Sequence, residues 1–290
     1  MSKVAYVNGR YVSQREASVN VEDRGYQFGD GIYEVIHIHA GRFVDEALHL
    51  DRLERSLREI RLPMPMPRAS LRVVLEEVLR RNRITEGLVY MQVTRGVARR
   101  DHAFPTRQVA PALVVTARRT PPYPKAAEGW TGTAVTVPDQ RWARCDIKTV
   151  NLLPNVLARQ AARDQGATEA IMYDPATGMV REGASTSVWI VDAQGVLRTR
   201  PLDHAILPGC TRAALIAELR AEGIPFEEGE YGLETLRAAR EIFLTSATSF
   251  VKPMLKLDGA PVGDGQVGPV ARRLFDLFAR HVRGGSNLAA

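Results

Sequence analysis

Cysteine is scarce in this chain: among 290 residues only Cys145 and Cys210 carry a thiol, far apart and without partners at metal-ligand spacing. That pattern excludes a disulfide framework and gives no support to a metal site. Long apolar runs are missing too. No stretch approaches the roughly 18 residues needed to span a bilayer, and the opening MSKVAYVNGRYV has no apolar signal-peptide core, so a cytoplasmic protein without a membrane partner is expected. An acidic excess is also absent, since 39 Lys and Arg stand against 33 Asp and Glu for a net charge of +6. The arginines are scattered and form neither a basic tail nor a stripe. This argues against a nucleic-acid partner and for solvated helix faces, with a few guanidiniums kept for anionic ligands. The usual nucleotide, zinc and serine-hydrolase signatures (G-x-x-x-x-G-K, G-x-G-x-x-G, H-E-x-x-H, G-x-S-x-G) are lacking, as are internal repeats and low-complexity segments.

What is present is a chain 45% hydrophobic and 25% charged, long enough to bury two cores. Apolar runs predict strands at 32–38, 88–94 and 112–117. Leu50, Leu53, Leu57 and Ile60 predict a helix over 46–60. Leu71, Val74, Leu75, Val78 and Leu79 have the i, i+3, i+4 spacing of a second helix, with Arg72, Glu76, Arg80 and Arg81 left for water. These elements make a small α+β unit over 1–119. Residues 120–125 contain Pro121, Pro122 and Pro124, which continue neither a helix nor a central strand, and read as a linker. A second domain, 126–290, is expected to carry strands at 133–137, 169–173, 186–191 and 241–244, helices at 155–165, 211–221 and 270–282, and a fraying tail at 284–290.

Three local sequences stand out. EDRGYQFGDGIYEV (22–35) is a glycine-rich turn entering a strand; its glycines serve either a structural turn or close approach of another group. RWARCDIKTVN (141–151) sets Lys148 among apolar residues just before a helical pattern. It is read either as a surface lysine or as an amine whose neutral form attacks an aldehyde to make a Schiff base. VREGASTS (180–187) follows an acidic residue with short hydroxyl side chains entering a strand. LPGCTR (207–212) and TSATS (245–249) share that hydroxyl character, and each is read either as a cap or turn or as part of a phosphate site.

EDRGYQFGDGIYEV, VTRGVARRDHAFP, RWARCDIKTVNLLPNVLA and REGASTSV, in this order and nearly end to end, resemble the motifs of the fold-type IV pyridoxal-phosphate aminotransferases, most closely the bacterial D-amino-acid aminotransferases. The resemblance implies an α+β, two-domain fold with a smaller N-terminal domain, a larger C-terminal domain and the cofactor, pyridoxal 5′-phosphate, between them. It makes Lys148 the Schiff-base lysine and proton shuttle, and Glu182 the carboxylate facing the pyridine nitrogen. Arg52 becomes the phosphate-binding arginine, against a plainer reading as an exposed helix arginine. The phosphate cup would include Ser185, Thr211, Ser246 and Ala247, with backbone amides of Leu207 to Cys210. Ala184 and Ala247 stand where close relatives have hydroxyls, so backbone donors are expected there. Arg100, His102 and Tyr33 match the trap that D-specific members use for the substrate α-carboxylate, and an i, i+2 relation sends both loop side chains to one side.

The implied reaction passes the amino group of a D-amino acid, such as D-alanine or D-glutamate, to a 2-oxo acid such as 2-oxoglutarate, in a homodimer. Rival readings within the fold are a branched-chain L-amino-acid aminotransferase and an aminodeoxychorismate lyase, which share Lys148, Glu182 and Arg52. A basic nucleic-acid binder without cofactor and a catalytically silent binding protein are the rivals outside it.

Overall fold

The computed structural model describes residues 3–284, so most of the tail expected to fray, 285–290, lies outside the described residues. The chain divides into two compact units, 1–122 with 147–151, and 123–146 with 152–290. The division falls inside the proline segment. Residues 147–151, which sequence reasoning put in the C-terminal domain, group with unit 1 because they pair with its third strand: Tyr33 N–H donates to the Lys148 carbonyl (3.0 Å) and Val150 N–H to the Gly31 carbonyl (3.1 Å).

Unit 1 contains a six-stranded antiparallel sheet in the order β2-β1-β6-β5-β3-β4, built from β1 (Val4–Val7), β2 (Arg10–Ser13), β3 (Gly31–His39), β4 (Arg42–Phe43), β5 (Gly87–Thr94) and β6 (Ala112–Arg119). The β1–β2 hairpin was not expected from the sequence, although its Asn8-Gly9 turn takes positive φ at both residues (45° and 93°), as a tight two-residue hairpin requires. A one-turn helix, α1 (Arg24–Phe28), interrupts the glycine-rich segment. It ends at Gly29, whose φ is 68° and where an added Cβ would meet the Asn151 side chain. Helices α2 (Glu46–Glu59) and α3 (Arg68–Asn82) follow the expected stripes. Leu53, Leu57, Leu71, Leu75 and Val78 pack with Ile32, Ile36, Ile38, Val89, Met91 and Val115 in one core.

Among its described residues unit 2 holds nine strands: β7 (Gly132–Pro138), β8 (Glu169–Tyr173), β9 (Val180–Gly183), β10 (Ser187–Val191), β11 (Leu197–Thr199), β12 (Glu227–Glu228), β13 (Glu241–Ser246), β14 (Phe250–Leu257) and β15 (Ala260–Pro261). Their order is β12-β11-β10-β13-β14-β7-β8-β9, with β15 on β14. The parallel β7–β8 pair is joined by α4 (Leu153–Asp164), whose Ala158 and Ala162 let it sit closely on Val135, Val137, Ala170 and Met172. Helices α5 (Cys210–Ala221), α6 (Leu233–Arg237) and α7 (Pro269–Val282) complete the unit. The first turn of α7 is capped from a distance, since the Glu241 carboxylate accepts from the N–H groups of Val270 and Ala271 (3.1 and 2.7 Å). No helix among the described residues is long and apolar enough to cross a membrane.

Candidate functional site

Strand alternation places Glu34 on the same face of β3 as Ile32, Ile36 and Ile38, so a carboxylate enters the core of unit 1. Burial of a bare charge there costs too much to persist unless it is paired. The partners come from one stripe of α2. Glu34 accepts from Arg52 Nε (2.7 Å) and Nη2 (2.9 Å) and from His49 Nδ1 (2.8 Å). Burial alone would raise the Glu34 carboxyl, but the charge and hydrogen bonds of Arg52, joined by His49, outweigh it and hold the group at about 2. Arg52 is therefore buried, 8% exposed, and is not the solvated helix arginine of the plainer reading.

One helical turn further on, the buried Ser56 presents Oγ to the backbone N–H of Lys148 at 3.4 Å. The strip 147–151 thus sits between α2 and the start of β3. Its Lys148 is half-buried, with Nζ 4.3 Å from the centroid of the Tyr33 ring. Tyr33 stacks on Tyr90 at 5.6 Å, and the Tyr90 hydroxyl donates to Gln92. Burial pushes the Tyr90 hydroxyl up to about 12, so it stays protonated at neutral pH.

Arg100 and His102 do come together, but on a different ring: the Arg100 guanidinium lies 5.1 Å from the Phe28 centroid and the His102 ring 5.4 Å from it. Both are exposed, as is Arg99. Unit 1 therefore presents two groupings, Tyr33 with Lys148, and Arg100 with His102 on Phe28.

In unit 2, Glu182 on β9 is 5% exposed. It forms an ion pair with Arg141 Nη1 and accepts the Leu207 N–H at 3.1 Å. Arg141 is fixed in turn by Asp139, which accepts from Nε (3.0 Å) and Nη2 (2.8 Å), and by the Ala205 carbonyl. Burial works against the Arg141 charge, while Glu182 and Asp139 more than restore it and raise the group above its ordinary value. The Cys145 thiol is also buried, and burial pushes it up to about 11 despite the nearby Arg141 charge, so it is not a thiolate nucleophile at neutral pH.

The expected phosphate cup is only partly assembled. Ser185 and Ser246 line one cavity of about 70 Å³ together with Thr186, Thr248, Ser249, Lys252, Arg159 and Glu169. Ser185 Oγ donates to Glu169, which also pairs with Arg159 at 2.7 Å. Ser246 Oγ lies 3.0 Å from Thr248 Oγ1 and 2.8 Å from Ser249 Oγ. Ala247 sits inside this hydroxyl turn. Thr211 is buried in the first turn of α5, outside that cavity's lining, and the Leu207 amide expected for phosphate is engaged by Glu182.

Sequence reasoning missed the partners: Glu34 and His49 for Arg52, Asp139 and Arg141 for Glu182, and Arg24 and Phe28 beside the 100–102 loop. For the first pair a signal existed. A carboxylate at an even position of an Ile-x-Glu-x-Ile-x-Ile strand, and His49, Arg52 and Ser56 spaced i, i+3, i+7 on the helix face that also carries Leu50, Leu53 and Leu57, together announce a buried polar cluster.

Residues 31–257 match the model of the family described as amino-transferase class IV. The D-alanine aminotransferase of Staphylococcus haemolyticus is 42% identical over 288 residues, covering 99% of this chain and 100% of that protein. Among solved structures, the Escherichia coli branched-chain amino acid aminotransferase superposes with a TM-score of 0.90 at 25% identity, covering 99% of this chain and 97% of the other. The branched-chain aminotransferase of the thermophilic archaeon Thermoproteus uzoniensis, solved with norvaline, gives 0.84 at 27% identity, over 99% and 97%.

Proposed function

Because the chain belongs to the class IV amino-transferase family, we propose that it transfers the amino group of a D-amino acid, D-alanine or D-glutamate in type, to a 2-oxo acid such as 2-oxoglutarate. The observation that carries this reading is the 42% identity, over nearly the whole of both chains, to a D-alanine aminotransferase. The likeness to branched-chain enzymes at 25% and 27% identity favours a second reading, transfer from branched-chain L-amino acids. The lower identity makes it the weaker of the two.

The residues fit pyridoxal 5′-phosphate as cofactor. Unit 1 offers a half-open primary amine on an aromatic ring and a guanidinium oriented by a buried carboxylate. Unit 2 offers a buried, ion-paired carboxylate and a hydroxyl-lined cavity beside two cationic side chains. When bound, the cofactor supplies an electron sink for the substrate Cα and a temporary carrier for the amino group. Lys148 Nζ would hold the cofactor and would serve as the base and acid for the proton at the substrate Cα. Its carbonyl and N–H are tied to Tyr33 and Ser56, so the backbone that carries the amine is fixed while its side chain moves. Glu182, held by Arg141 and the Leu207 N–H, would supply the negative charge that keeps the cofactor's ring nitrogen protonated. Arg52, whose guanidinium Glu34 orients, would hold the phosphate together with Thr211, Ser185, Ser246 and the backbone at Ala247. Arg100 and His102, which meet on Phe28, would take the substrate α-carboxylate, with Tyr33 as the third donor that the resemblance implies.

We extend the proposal to a cytoplasmic homodimer working on free amino acids and 2-oxo acids. The exposed Leu153, Val156 and Leu157 on α4 support a self-association surface, and light scattering on the eluted protein tests it. For the function itself, cofactor-loaded protein given D-alanine and 2-oxoglutarate should form pyruvate and glutamate. Borohydride treatment should fix the cofactor to a peptide containing Lys148. Label on any other lysine would contradict the assignment, and turnover of L-leucine without D-alanine would favour the second reading.

A further inference from the structure

An exposed loop does not by itself hold two side chains toward one anion. Beneath this loop lies Arg24, 2% exposed, whose guanidinium is divided among three partners. Nε donates to Asp30 Oδ2 (2.8 Å), Nη1 to the Asp101 carbonyl (2.6 Å) and Nη2 to the His102 carbonyl (3.5 Å). Asp30 is gripped from a second direction by Arg95, through Nε (2.7 Å) and Nη2 (2.9 Å), and Arg95 also donates to the carbonyls of Ile60 and Arg61. A continuous chain of hydrogen bonds therefore runs from the end of α2, through Arg95, Asp30 and Arg24, to the loop backbone at 101–102.

The side chains meet on Phe28. Its ring receives the Arg24 guanidinium at 4.8 Å, the Arg100 guanidinium at 5.1 Å and the His102 ring at 5.4 Å. Two guanidiniums on one ring repel each other unless each has a counter-charge. Arg24 has Asp30. Among the described residues no carboxylate pairs with Arg100, which leaves its charge for an incoming anion.

We propose that Arg24 and Phe28 are positioning residues for amino-acid recognition. Arg24 holds the carbonyls of Asp101 and His102, Phe28 seats the side chains of Arg100 and His102, and together they make the two donors face one carboxylate. This rests on the reading of Arg100 and His102 given above. Neither residue touches the substrate itself. Their effect belongs to binding and not to the proton transfer step.

The test uses cofactor-loaded full-length enzyme carrying Arg24→Lys, which keeps the charge but loses the fork, and Phe28→Leu, which keeps apolar bulk but loses the ring. Arg100→Ala and His102→Ala serve as reference variants. Each is measured for KM and kcat with D-alanine and for affinity toward propionate, a carboxylate that cannot react, by calorimetry. Loss of one or two hydrogen bonds of ordinary net strength in Arg24→Lys should raise both KM and the propionate dissociation constant roughly fivefold to tenfold, and loss of the ring contact in Phe28→Leu roughly twofold to fivefold, with kcat within about twofold and the cofactor absorption unchanged. If Arg100→Ala weakens propionate binding while Arg24→Lys and Phe28→Leu bind it as wild type does, the trap stands and the positioning role is overturned. If Arg100→Ala and His102→Ala leave propionate binding unchanged, the trap reading itself fails. Should Arg24→Lys not fold, Phe28→Leu decides alone. A fall in kcat and cofactor content with KM unchanged would also overturn the proposal, because a merely loosened fold behaves that way.

Discussion

Replacing Glu34 by Gln should destabilise the protein by about 3 kcal/mol at neutral pH, a large share of the roughly 5–15 kcal/mol typical of folded proteins. Glu34 and Arg52 are both buried, with side chains 0% and 8% exposed, so water cannot replace the lost carboxylate. Gln keeps the shape and one acceptor but leaves the Arg52 guanidinium without its counter-charge. A second estimate comes from titration. The carboxyl is held at about 2 against an ordinary 4.5, and burial, which acts in the opposite direction, is outweighed by Arg52 and His49. That separation again corresponds to about 3 kcal/mol. Because the folded value lies below the unfolded one, the stabilisation is fully present above about pH 4.5 and is lost as pH falls toward 2. Urea unfolding of wild type and Glu34→Gln, with a slope of about 3 kcal/mol/M, should show midpoints about 1 M apart at pH 7. The gap should close as the pH is lowered from 4.5. A gap under about 0.5 kcal/mol at pH 7, or one unchanged down to pH 3, would refute the claim that Glu34 is an ionised anchor for Arg52.

Lys148→Ala should abolish turnover with the far-ultraviolet spectrum intact, since anchor and proton carrier are lost together; a near-normal rate excludes Lys148. Glu182→Gln should lower kcat in a folded protein, and unchanged kinetics would remove it from the site. Arg141→Met should cost stability and cofactor affinity together, because the buried Glu182 and Asp139 carboxylates lose their shared cation; equilibrium dialysis of the cofactor checks it. Arg100→Ala should reduce kcat/KM for D-alanine by roughly tenfold to a hundredfold, while Arg99→Ala stays within about twofold. The reverse order would assign the carboxylate to the wrong arginine.

The elements legible in advance were those whose apolar spacing repeats without interruption, such as α3 with its Leu71 to Leu79 stripe and β3, β5 and β6 with their apolar runs. Strand β14 was not legible. Its run Phe250–Leu257 contains Lys252, Pro253 and Lys256, and a proline ordinarily argues against a central strand. The chain resolves this by pairing Pro253 with Phe243 of β13 on one side and beginning its ladder with β7 only at Met254, with a register shift before Lys256. At the site, motif order named Lys148, Glu182 and Arg52, but not what holds them. Glu34 and Arg52 are 18 residues apart and Arg141 and Glu182 are 41 apart; periodicity marks Glu34 and Arg52 each as buried but does not say that they pair, and for Arg141 and Glu182 it carries no information. The strip 147–151 joins unit 1 through backbone hydrogen bonds, which no side-chain pattern announces.

The proposed function turns on which enantiomer the enzyme uses. With 2-oxoglutarate as acceptor and cofactor-saturated protein, kcat/KM should be measured for D-alanine, L-alanine and L-leucine in parallel. D-alanine is expected to exceed both L-donors by at least roughly a hundredfold, the discrimination coming from transition-state contacts that only one enantiomer satisfies. An L-donor turned over as well as D-alanine, or better, would contradict the proposed function and leave the branched-chain reading in its place.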